Sequence, residues 1–122
     1  MKRLACLLLF AGCLGHQPTG AECPEVAADQ PTYDNFGREF METYCTGCHS
    51  ANAPNRFGAP DEQNYDTYAD VLLHADAIDQ HAAAGPHAMN DEMPVLDGPV
   101  RAAPTVAERE KLGQFLACAR AN

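Results

Sequence analysis

Between Tyr44 and Pro54 the chain reads YCTGCHSANAP, with two cysteines three positions apart and a histidine directly after the second. Cys45, Cys48 and His49 thus bring two thiols and an imidazole into five residues. Three chemistries use such a group. A structural zinc site takes two Cys or His pairs on short knuckles. A redox dithiol sits where a strand feeds a helix N-terminus, whose dipole lowers the first thiol's pKa. In the third, two thiols add across the vinyl groups of a haem as thioethers, and the adjacent imidazole binds the iron; C-x-x-C-H is the sequence signal for that attachment. The elements around the motif have to choose.

The strand signal is weak. The chain holds five valines and one isoleucine, and no window of alternating β-branched residues. Helical periodicity is better supported. Phe36, Phe40, Met41 and Tyr44 recur at three- and four-residue spacing and predict a helix over 33–44 that runs straight into Cys45. Asp34 or Asn35 is its expected cap. Tyr65, Tyr68, Leu72 and Ile78 form a broken stripe, read as one bent helix or two short ones with the break near His74. Asn64 or Asp66 is expected to cap this stretch and Gly85 to stop it. Thr105 and Glu108 have capping-box spacing at the start of a last helix. Val106, Leu112, Phe115, Leu116 and Ala119 are its expected buried side. From Gly85 through Pro104 four prolines forbid regular structure. The fold class expected is all-α.

Length and composition set the frame. At 122 residues one domain is expected. Trp is absent and aromatics are only 7 %, so the apolar core is thin and a large buried cofactor would fill it. The net charge of −9 argues against nucleic acid and anionic lipid surfaces as partners. At the start, Lys2 and Arg3 precede the apolar run Leu4–Gly12, too short to span a bilayer and of the length of a signal-peptide core. Phe10-Ala11-Gly12-Cys13 resembles a lipobox, with Phe10 where that pattern usually has Leu. Residues 1–12 are therefore expected to be a lipoprotein-type signal peptide, Cys13 the lipidation site, residues 13–32 a flexible tether, and 33–122 the folded domain. Removal of the leader leaves six basic residues against 17 acidic ones. Export also permits disulfides. With Cys6 lost, Cys13 lipidated and Cys45 and Cys48 in the motif, Cys23 and Cys118 remain and are expected to pair.

Against this background zinc lacks a second ligand pair, and the dithiol lacks its strand. Covalent haem attachment agrees with the helices and with export. The iron's sixth ligand then has to be found among His74, His81, His87, Met41, Met89 and Met93. The histidines lie amid Asp and Ala and read as solvent-exposed, and Met41 reads as core. Met89 and Met93 lie in the Pro-rich loop. Met93 is the expected ligand, in a polar context that gives it no apolar face, with Met89 as the alternative.

Over about residues 33–120 the chain resembles the class I c-type cytochromes. Gly37 and Met41 lie eight and four residues before Cys45, where that family has Gly and usually an aromatic. EREKLGQFL, Glu108–Leu116, is similar to the family's E-R-x-x-L-x-x-Y-L pattern, with Phe115 at the aromatic position. The resemblance implies that the first and last helices cross at Gly37 against Phe115. It implies that the carbonyl of Pro60 accepts the Nδ1–H of His49, and that Met93-Pro94 is the axial methionine segment. Met41 in place of an aromatic is a departure. The activity implied is one-electron carriage through a single covalent haem c with His49 and Met93 on the iron, not an enzyme. The alternative is a haem domain with an open sixth position, a redox enzyme subunit or gas sensor. Expected partners are redox proteins with basic docking patches; membrane association is through the lipid anchor only. The expected state is a monomer on the periplasmic side, with the outer membrane weakly preferred for want of an Asp after Cys13.

Overall fold

The computed structural model describes residues 16–122, so the leader, the lipidation site at Cys13 and the first residues of the tether lie outside the described residues. The described chain is helical. Helix α1 is Arg38–Tyr44, α2 is Tyr68–Leu73, α3 is Ala75–Ala82 and α4 is Val106–Ala121; a single π turn, Tyr33–Gly37, leads into α1. No strand forms among the described residues, and none of their helices is long and apolar enough to cross a membrane.

Threonine sets three of the helix starts. Thr32, Thr67 and Thr105 each accept the backbone N–H three residues on, and the side chain there reaches back to the threonine's own N–H. These reciprocal boxes satisfy donors that the first turn leaves without partners. Thr105 with Glu108 is the cap expected. For the other two, Thr32 with Asn35 and Thr67 with Asp70 replace the expected Asp34 or Asn35 and Asn64 or Asp66. The middle stretch divides at His74, whose φ of −108° and ψ of 15° end α2 and begin α3. Helix α3 stops at Ala82, three residues short of Gly85, because Ala83 turns extended and Ala84 donates its N–H to the carbonyl of Arg109 on α4.

Phe40 and Met41 from α1, Val71 from α2, Ile78 from α3, and Leu112, Phe115 and Leu116 from α4 form the centre of the core. A Cβ on Gly37 would lie 2.6 Å from Phe115 Cζ, so the first helical segment meets α4 at a point with room only for hydrogen. Val106 is 52 % exposed, contrary to its expected place on the buried side; it occupies the first turn, before α4 reaches its neighbours.

The segment expected to be a tether is packed against the body from at least Gln17 onward. Thr19 is 1 % exposed; its N–H and hydroxyl donate to the two carboxylate oxygens of buried Asp79 on α3, at 2.8 and 2.6 Å. The Asn90 amide donates to the carbonyl of Gln17 at 2.8 Å. A carboxylate buried on α3 needs hydrogen-bond donors, and the arm supplies them without any periodic pattern. Cys23 is joined to Cys118 by a disulfide, fixing the arm to the end of α4.

Candidate functional site

Helix α1 delivers the C-x-x-C-H motif. Near its end the Met41 carbonyl accepts the N–H groups of both Cys45 and Thr46. The chain then tightens, with the N–H groups of Cys48 and His49 donating to the carbonyl of Cys45 at 3.1 and 2.8 Å. This turn holds both thiols and the imidazole on the wall of one cavity of about 440 Å³. Gly47 within the motif is needed for fit: a Cβ there would stand 2.6 Å from Pro99 Cγ, so the loop after α3 lies directly on the motif. The remaining walls are mainly apolar, with Phe40, Tyr65, Ile78, Ala82 and Val100 among them. Such a volume and lining suit a small organic ligand or cofactor.

Met93 lines the same cavity and packs against the core. Met89 is 51 % exposed and does not line it, and Met41 is buried in the core. Of the histidines considered, His81 reaches the cavity wall; His74 is half-buried with its ring edge-on to Tyr65, and His87 lies over Gly20.

His49 Nδ1 is 3.0 Å from the carbonyl oxygen of Gln63. The expected acceptor, the Pro60 carbonyl, is instead bonded by Arg56. Arg56 gathers the carbonyls of Ser50, Ala59, Pro60 and Gln63 with the Asn64 side chain, and this winds the loop so that Gln63 rather than Pro60 meets the imidazole. A carbonyl can only accept, so Nδ1 carries the proton and Nε2 keeps its lone pair. Tyr65 stacks on the ring with centroids 4.6 Å apart and planes 21° from parallel, and its N–H donates to the His49 carbonyl. Burial lowers the His49 pKa; the Gln63 bond opposes this, while Arg56 and His74 add to it. The imidazole is therefore neutral and ready to bind a metal.

The two thiols are free. Cys45 as a residue is only half-buried, yet burial of its sulfur pushes the thiol up to about 12, with the neighbouring Cys48 adding to the shift. Burial raises Cys48 as well. A dithiol nucleophile needs the opposite shift. Thioether formation leaves uncharged sulfurs in an apolar wall, and the site suits that state.

Arg109, on α4, is 4 % exposed and is a site residue that the motif does not point to. One guanidinium nitrogen donates to the carbonyls of Ala82, Asn90 and Met93 at 2.7, 3.1 and 2.7 Å. It joins the end of α3, the loop and the methionine to α4. Its place in the EREKLGQFL segment, one turn before Leu112 on a buried face, was the available signal. Comparisons of the chain with family models, curated proteins and solved structures found no match.

Proposed function

We propose that the protein is a one-electron carrier holding a single haem c, bound covalently through Cys45 and Cys48, with His49 and Met93 as iron ligands. The observation that carries this reading is the convergence of two uncharged thiols, a neutral imidazole with Nε2 free and a thioether sulfur on one apolar cavity. Held by these residues, a haem would supply one-electron ferric/ferrous chemistry, and a methionine ligand would favour the reduced state. The chain's own residues do the rest. Gln63 fixes the tautomer and orientation of His49 and raises its basicity as a ligand. Tyr65 holds the ring from one side. Arg109 and the Met93 N–H, which donates to the His81 carbonyl, hold the methionine segment in place. His49 and Met93 would both be committed to holding the iron, which would leave no protein-side opening for a substrate there. The apolar lining excludes water and disfavours the extra charge of ferric iron.

Phe57 and Val95 line the cavity and are 53 % and 55 % exposed, with Leu96 beside them at 52 %. They make an apolar rim where a partner with a basic surround docks briefly, drawn by the acidic surface. The reading places the protein outside the cytoplasm, anchored at Cys13.

The test is optical. The ferric protein should show a weak far-red absorption band from sulfur–iron ligation, lost in Met93→Ala and kept in Met89→Ala. Absence of that band in the wild type, together with ready binding of carbon monoxide, would replace the carrier with an open-site haem domain.

A further inference from the structure

We propose that His16, His81 and Glu92 form a binding site for one divalent transition-metal ion of the zinc class. The three come from separate parts of the chain: the N-terminal arm, the last turn of α3 and the loop before Met93. One carboxylate oxygen of Glu92 lies 3.0 Å from His16 Nδ1 and 2.6 Å from His81 Nδ1. The two imidazoles face one another with centroids 4.0 Å apart and planes 38° from parallel. All three donor atoms fall within 4.8 Å of one another. Ligands about 2.1 Å from a tetrahedral ion sit about 3.4 Å apart, so the donors need only small movements to enclose one.

Chemistry favours an ion over the ion pair alone. Two imidazoles and one carboxylate are a ligand set that zinc accepts, with water in the fourth position. His16 and Glu92 are exposed and His81 is half-buried, so water reaches that position. As an ion pair, a single carboxylate oxygen would have to serve two tilted rings at once. A divalent ion satisfies all three donors at once. The net charge of the whole chain, −9, also draws cations.

The scaffold holds the ligands in register. The Asn90 side chain donates to the carbonyl of Gln17, next to His16, and to that of Asp79, two residues before His81. The Met93 N–H, next to Glu92, donates to the carbonyl of His81 at 2.9 Å. Each ligand thus lies beside a fixed backbone, as a preorganised site requires. An ion here would fasten the arm to α3 and to the loop that carries Met93. The proposal stands independently of the haem.

Isothermal titration of the purified, matured protein with zinc chloride tests it. Saturable uptake of one zinc per chain is expected, weakened at least about tenfold in each of His16→Ala, His81→Ala and Glu92→Gln and unchanged in His87→Gln. Saturating zinc should raise the thermal midpoint of the wild type and not that of the three variants, whose folding is checked by circular dichroism. Absence of saturable uptake overturns the proposal. So does uptake that persists in the His16→Ala/His81→Ala double variant, or that disappears only when Cys45 and Cys48 are replaced.

Discussion

Replacing Arg109 by methionine keeps most of the side chain's length and apolar stem while removing the donor that three carbonyls share. The Ala82 carbonyl bond is buried, and those to Asn90 and Met93 are partly so. An acceptor left unpaired in the interior costs about 1–3 kcal/mol, whereas a carbonyl that water can reach loses about 0.5–1.5 kcal/mol. One of the first kind and two of the second sum to about 2–6 kcal/mol. Some of this is returned because the guanidinium no longer has to be desolvated, the factor that lowers its pKa. A net loss of about 3 kcal/mol is expected, a large part of the 5–15 kcal/mol available to a typical domain. Urea unfolding followed by far-ultraviolet circular dichroism would read it as a midpoint about 1–3 M lower. Arg109→Lys should recover part of the loss by restoring a cation. Amide exchange at Asn90 and Met93, whose N–H groups bond to Ala83 and His81, should quicken before the rest of the chain. A change below about 1 kcal/mol, with exchange in the loop unaltered, would mean that the clamp is not what holds Met93, and the reasoning would fail.

Two further outcomes follow from the same contacts. Gly37→Ala should destabilise by about 1–3 kcal/mol because the new methyl meets the Phe115 ring; a stabilised variant would mean that α4 does not press on this point. For pH, burial holds the folded His49 pKa below its ordinary value of 6.5, so the unfolded chain binds more protons in the interval between the two. Its contribution to stability is complete above pH 6.5 and is lost as pH falls through the lowered folded value. In the chain produced without haem, where the His49 ring is not held by iron, urea midpoints measured downward from pH 7 should decline more steeply than in His49→Gln. Equal slopes would show that His49 is not buried neutral.

The features legible in the sequence were those with a local or repeating signature. The S/T-x-x-E box at Thr105, the break at His74 and the residual pair Cys23 and Cys118 all correspond to features of the structure; of the stripe around that break Tyr65 and Ile78 are buried, whereas Tyr68 and Leu72 are exposed and Val71 packs in the core instead. Gly37 against Phe115 was reached through the family resemblance. The Thr32 and Thr67 caps have the same threonine spacing but end in Asn35 and Asp70 rather than Glu or Gln, and the neighbouring Asp and Asn residues are equally good caps by type. What stayed hidden depends on side chains bonding across irregular backbone. Arg56 shifts the acceptor of His49 from Pro60 to Gln63, and Thr19 finds Asp79 sixty residues away. Arg109 bonds only to carbonyls, which leave no trace in residue type. Val106 fits the apolar spacing of α4 but lies before the contact zone, and periodicity cannot mark where a helix meets its neighbours.

The most direct measurement is the mass of the proteolytic peptide containing Cys45 and Cys48, taken from protein matured in a host able to attach haem. The account predicts that this peptide carries the mass of one haem on both sulfurs and that the attachment survives denaturation. An unmodified peptide from such a host would contradict it.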